Sequence, residues 1–342
     1  MFDTAIAGSL PKPAWLAETQ KLWPQWKAQG AELLQAKADA TLLWIKAQED
    51  AGLDVIGDGE QARQHFVHGF VEHVEGIDFV NKVTMGIRNN RYDAQVPQVV
   101  APLRLKGRVH AFEAQLARKH TKKKLKFTLP GPMTIVDTVA DRFYGDKVKM
   151  AMAFAELLNQ EALALQADGV DIIQFDEPAF NVYMAEAADW GVAALERAAQ
   201  GLTCTTAVHI CYGYGIEANV KWKETLGEEW RQYEQVFPAL ARSRIGLAGV
   251  DAAIGDADGR VLGVPVLREG GRQFAVIESA KFFRLAPCQP LDITGADVPQ
   301  YVPPGTRERE LSRRDGALHG LITSSPLLVS KIKIEPAWRL VS

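Results

Sequence analysis

The stretch KMAMAFAELLNQEALALQADGVDIIQFDEP (Lys149–Pro178) joins two periodicities. From Lys149 to Gly169 the apolar residues recur at helical spacing, and the run ends on a glycine, a helix stop. From Val170 the pattern becomes a short apolar run, VDIIQF, closed by Asp176, Glu177 and Pro178. Such a run reads as a buried strand. A helix feeding a buried strand that ends in carboxylates is a unit of a parallel α/β sheet.

Similar units lie on both sides. TAIAGS (Thr4–Ser9), DVIGDGE (Asp54–Glu60), LKFTLPGP (Leu125–Pro132), CTTAVHICYG (Cys204–Gly213) and RIGLAGVD (Arg244–Asp251) read as strands. Ala31–Gly52 and Glu228–Ser243 read as helices. Six or more such units fit an eight-stranded (β/α)8 TIM-type barrel better than two small domains. Ser9, Asp58, Glu60, Asp176, Glu177, His209 and Asp251 all fall at carboxyl ends of expected strands. In a barrel that rim carries the site. Residues 74–105 break the alternation and read as an insertion, a hairpin lying over the same rim.

Composition excludes several classes. The chain has 342 residues, 47% hydrophobic and 24% charged, as in a globular protein. A net charge of −3 gives no drive toward nucleic acid or an anionic membrane. The basic run RKHTKKKLK (Arg118–Lys126) stands alone and reads as a solvated helix end before a strand. No apolar run is long enough to span a bilayer, and no signal peptide is visible. Three cysteines (Cys204, Cys211, Cys288) make no disulfide framework, so a cytoplasmic location is expected.

In VHICYG (Val208–Gly213), His209 and Cys211 are two apart on a strand and so share a face. Imidazole and thiolate are both good zinc ligands, though a zinc site needs a third and usually a fourth. In FDEP, one carboxylate of Asp176 and Glu177 points into the mouth and the other faces the wall. GDGEQAR adds Asp58, Glu60 and Arg63. Singly, such carboxylates cap helices or solvate loops. Gathered on one rim beside a metal they suit an amino group or a cation. The turn AGSLP offers N–H groups and a hydroxyl to a carboxylate ligand, and is also a common turn.

The motifs IAGSLPKP, VIGDGEQAR, LPGPMTI, DIIQFDEPAF and HICYG occur in an order that resembles the catalytic domain of cobalamin-independent methionine synthase, of the short core type. The resemblance runs from the start to about Ser243. It implies a (β/α)8 barrel with zinc at the rim and methyl transfer to the thiol of L-homocysteine, giving L-methionine. It implies His209 and Cys211 as zinc ligands, Asp176 holding the homocysteine amino group with Glu60 as its partner, and Gly8 and Ser9 taking the carboxylate.

The chain departs from the family in several places. Folate-using members carry a pterin-stacking tryptophan after GPMTI, where this chain has VDTVAD with Thr138. A donor other than polyglutamyl methyltetrahydrofolate is therefore expected, such as a methyl-corrinoid or a methyl group delivered by a partner protein. The third zinc ligand falls on Asp251 or, alternatively, Glu278 in FAVIESAKF. The family's last cysteine ligand has no matching motif, and Cys288 in LAPCQP lies in the wrong context. The chain thus divides into a synthase-like barrel over 1–245 and a divergent, Gly- and Arg-rich part over 246–342. Either this part has diverged strongly or its reading frame is altered, and the barrel is then irregular or incomplete. Two other readings stay open: a related zinc barrel methyltransferase acting on another thiol, and an inactive degenerate homologue.

Overall fold

The computed structural model describes residues 4–18, 24–211, 217–226, 233–250, 266–269 and 272–275. Helix α1 (Gly30–Asp50) leads into strand β1 (Val55–Gly57). A short helix α2 (His68–Val71) precedes a long antiparallel hairpin of β2 (Val74–Ile87) and β3 (Tyr92–Leu105). Helix α3 (Ala111–His120) feeds β4 (Lys124–Pro130). Then α4 (Pro132–Val136), the two-residue β5 (Ala140–Asp141) and α5 (Lys147–Ala167) lead to β6 (Ile172–Asp176). Short α6 (Met184–Glu186) and α7 (Val192–Ala198) precede β7 (Thr205–Ile210). Helices α8 (Glu217–Glu224) and α9 (Tyr233–Arg242) precede β8 (Leu247–Val250). Strands β9 (Val266–Glu269) and β10 (Arg272–Ala275) form an antiparallel pair.

Strands β1, β4, β6, β7 and β8 form one parallel sheet in that order, each next to its neighbour in the α/β series. The α5–β6 unit follows its sequence closely. Asp146 caps α5, its carboxylate accepting from the Lys149 N–H at 2.9 Å. Gly169 ends the unit's helix at φ +91°, a conformation that suits glycine. Strand β6 is buried along its whole length.

The sheet's two faces differ. On one, Ile56, Leu125, Phe127, Leu129, Ile173, Phe175, Val208 and Ile210 join the large core beneath the helices. Phe127, Phe154 and Phe175 are fully buried there, each stabilising by about 2–3 kcal/mol. On the other, Val55, Ile172 and Ala207 form a small cluster with Ala5. Alternation puts Lys126 and Thr128, Gln174 and Asp176, and His209 on this second face. Register agrees, pairing Thr128 with Gln174, and Asp176 with His209.

Two expectations are corrected. Thr4–Ser9 is not a full strand but a single parallel bridge, Ala5 to Val55. The reason is that the Ile6 and Ala7 carbonyls accept from side chains, Lys126 and Gln174, rather than from a neighbouring strand. Lys126, the end of the basic run, is not solvated: it is 5% exposed, because its place in β4 turns it onto the second face. The hairpin carries its tip at Arg88, Asn89 and Asn90, all with positive φ. No described helix is long and apolar enough to cross a membrane.

Candidate active site

The second face of the sheet opens at the carboxyl ends of its strands onto a cluster of buried charges. Beyond β1, Asp58 pairs with Arg63 through both carboxylate oxygens, at 3.1 and 2.8 Å. Arg63 also donates to the Thr128 carbonyl at 2.7 Å and lies 4.7 Å from the Phe127 ring centroid. The pair is almost completely buried. Burial works against the guanidinium charge, and Asp58 and Glu60 together outweigh it and keep Arg63 protonated.

Glu60 stands beside it with φ +56°, left-handed backbone that a glutamate seldom adopts. Thr128 Oγ1 donates to Glu60 Oε1 at 2.9 Å. Burial raises the Glu60 carboxyl above its ordinary range against the opposing pull of Arg63, with Asp176 and Asp58 pushing the same way as burial. Gly8 lies against this carboxylate: a Cβ there would come within 3.3 Å of Glu60 Oε1. Ser9, next in the turn, is exposed. Lys12 follows, donating to the Glu60 carbonyl at 3.2 Å, with its pKa pushed down by burial to about 8.

Asp176 ends β6 on the same face. Its Oδ1 accepts from Gln174 Nε2 at 2.7 Å and faces His209 Nδ1 at 3.3 Å. Glu177, one residue on, points the opposite way. Its carboxylate accepts from the Met133 N–H (3.0 Å), the Thr134 N–H (2.9 Å) and Thr134 Oγ1 (2.7 Å). It closes the start of α4, and burial raises its pKa to about 7 against those three bonds.

His209 is the penultimate residue of β7, and half-buried Cys211 follows two residues later. The Asp176 carboxylate faces Nδ1, a pairing usual for metal-ligating histidines. An imidazole and a thiolate suit zinc. Among the described residues no group of three or more His, Cys, Asp or Glu gathers at metal-binding distance. The residues present thus fit half of a zinc site. Asp251, Glu278 and Cys288 lie outside the described residues.

Asn181 donates its amide to the Cys211 carbonyl. The hairpin tip reaches this end of the site. Arg88 pairs with Asp137, Tyr183 donates to Asp137 at 2.7 Å, and the Asn89 N–H donates to the Tyr183 hydroxyl at 2.7 Å. The structure therefore brings Gly8, Glu60, Asp176 and His209 to one mouth. Lys126, Gln174, Arg88 and Asn181 were not read from the sequence as site residues. For Gln174 a signal existed, a polar residue two before Asp176 in a buried strand.

The chain is similar to known proteins over much of its length. Residues 2–217 match the family model described as cobalamin-independent synthase, catalytic domain. Methionine synthase of Saccharolobus islandicus is 33% identical over 214 residues, 62% of this chain and 63% of that protein. Methionine synthase of Sulfolobus acidocaldarius is 30% identical over 214 residues, with 62% of each chain covered. The match thus spans less than two thirds of these relatives' length. Among solved structures, a B12-independent methionine synthase from Shewanella sp. W3-18-1, in complex with selenomethionine, superposes with a TM-score of 0.71. It is 55% identical, with 73% of each chain covered. A putative vitamin-B12 independent methionine synthase from Listeria monocytogenes shares the fold alone, at 15% identity and a TM-score of 0.54 over 73% of this chain and 72% of that one. With the family model covering well over half of its length, the chain belongs to the cobalamin-independent methionine synthase family, by its catalytic domain.

Proposed function

We propose that this chain transfers a methyl group to the thiol of L-homocysteine, giving L-methionine, with zinc as the cofactor. One observation carries the reading: register on neighbouring parallel strands sets Asp176 against His209, two residues before Cys211, at a mouth that also holds Glu60. The Shewanella structure is a complex with selenomethionine, the selenium analogue of the proposed product.

Asp176 and Glu60 hold the substrate ammonium. Among the described residues Asp176 Oδ2 accepts no hydrogen bond, while Oδ1 is taken by Gln174 and His209. The turn at Gly8 and Ser9 takes the carboxylate. His209 and Cys211, with a carboxylate from Asp251 or Glu278, are the residues that would hold zinc. Bound there, zinc supplies the Lewis acidity that keeps a thiol ionised at neutral pH. The thiol sulfur takes the methyl group as the donor's bond to it breaks, and the thiol proton leaves to solvent. A methyl-corrinoid or a methyl group delivered by a partner protein is the proposed donor. Thr138 stands near the place of the pterin-stacking tryptophan, and its hydroxyl turns back onto the Ile135 carbonyl at 2.9 Å, offering no ring to a pterin.

Residues 1–245 are the proposed catalytic part of a (β/α)8 barrel, with the 74–105 hairpin over its rim and 246–342 as a divergent continuation. Cys204 and Cys211 are thiols, not disulfide partners, which suits the reducing cytoplasm. The test is zinc content and methionine formation in purified parent and Cys211→Ser. Stoichiometric zinc in the parent, lost in the variant together with methionine formation, supports the reading. Equal zinc in both overturns the metal assignment. A zinc-loaded parent that methylates homocysteine from no donor class overturns the reaction.

A further inference from the structure

Two buried polar side chains below the mouth are left unexplained by the carboxylates and the metal ligands. Lys126 is 5% exposed and Gln174 is 2% exposed. They lie on the second face of the sheet, between the small apolar cluster and Asp176. Burying an ammonium is costly unless its protons are taken up. Lys126 Nζ donates to Gln174 Oε1 at 2.6 Å, to the Ala7 carbonyl at 2.9 Å and to the Ile6 carbonyl.

The chemistry of these groups fixes their orientation. An ammonium only donates, so Gln174 must offer it Oε1. The amide NH2 is thereby turned the other way, where it donates to Asp176 Oδ1 and to the Ala7 carbonyl, both at 2.7 Å. A flipped amide would set NH2 against the ammonium and its oxygen against a carboxylate and a carbonyl. The lysine therefore fixes the amide, and the amide fixes Asp176, with Oδ1 occupied and Oδ2 left for a ligand. The same two side chains hold the carbonyls of Ile6 and Ala7, immediately before Gly8 and Ser9.

We infer that Lys126 and Gln174 are positioning residues for an L-α-amino acid: they hold the ammonium-binding Asp176 and the carboxylate-binding turn in one fixed relation. The inference rests on the proposed reading of the mouth as an amino-acid pocket. It also favours an α-amino-acid thiol over thiols that lack the amino group.

A filler role and a positioning role part at Gln174→Glu. Glutamate has the same shape and pairs with Lys126, so a filler role survives it. It cannot donate to Asp176 or Ala7, so a positioning role does not. The experiment is calorimetric binding of L-methionine and of its desamino analogue, 4-(methylthio)butanoate, to the parent, Gln174→Glu and Lys126→Met, with a thermal melt of each. The parent is expected to bind methionine and to prefer it over the analogue. Gln174→Glu is expected to melt cooperatively, to bind methionine about tenfold more weakly or worse, and to lose much of that preference. Lys126→Met is expected to change in the same direction. Should Gln174→Glu melt without cooperativity, the doubly apolar Lys126→Met/Gln174→Leu chain replaces it, with the same expected loss. Parent-like methionine binding in these variants overturns the positioning role and leaves the pocket standing. A parent that does not bind methionine, or binds it no better than the analogue, overturns both.

Discussion

Asp176 and Glu177 are consecutive carboxylates, and the structure sends them to opposite sides of one strand end. Asp176 faces the mouth, where it meets Gln174 and His209. Glu177 faces the wall, where three donors from Met133 and Thr134 surround it. The two differ less in burial than in what saturates them. Every contact of Glu177 is internal, so it serves the fold. Among the described residues Asp176 Oδ2 accepts no hydrogen bond, as the proposed role in holding a ligand requires. Alternation along an extended strand accounts for the divergence.

Substitutions at the two positions should therefore separate function from stability. The largest effect is expected from Asp176→Asn: methionine formation should fall about a hundredfold to a thousandfold, because a charge pair to the substrate is lost. Its thermal melt should stay close to the parent's. A variant that melts early while the surviving folded fraction keeps its turnover would move Asp176 to the structural side. Glu177→Leu should do the reverse. It strands the Met133 and Thr134 donors, and denaturant titration should show a loss of about 3 kcal/mol. Gly131→Ala probes the same wall contact from the other partner. A Cβ at Gly131 would lie 2.1 Å from Glu177 Cδ, and overpacking of this kind should cost about 2 kcal/mol.

The two faces should also titrate in different windows. Glu177 is raised from 4.5 to about 7 in the folded chain. Between those values the folded state binds more protons than the unfolded one, so stability should fall as pH rises through the window. Lys126 is lowered by burial from 10.5 to about 8. Between about 8 and 10.5 the unfolded state binds more protons, so stability should rise with pH. Urea midpoints against pH should lose the first slope in Glu177→Gln. They should lose part of the second in Lys126→Met, since Lys12, also near 8, remains. The smallest effect is expected from Ser9→Ala, which removes one exposed hydroxyl at the turn. KM for homocysteine should rise about threefold with no change in the melt.

The α5–β6 unit was legible because each signal in it is local: the period of the helix, the glycine stop, the apolar run, the proline. The hairpin was legible as a break in the alternation. Lys126 was misread, because a basic run looks solvated until the strand's face is known. Arg88, Asp137 and Tyr183 gave no signal at all. They meet through contacts 49 and 46 residues apart in the chain, and no periodicity encodes such a distance.

The sequence by itself determined the order of helices and strands, the carboxylates at the strand ends and the residue types of the mouth. Local propensity and the two periods suffice for that. Only the tertiary structure decided which carboxylate faces the mouth, that Asp176 lies opposite His209, and that Lys126 reaches back across 119 residues to the Ala7 carbonyl. These depend on strand register, and a slip of one residue would turn every side chain of a strand to the other face. Register is set by the packing of the whole sheet against its helices, which no short stretch of sequence contains.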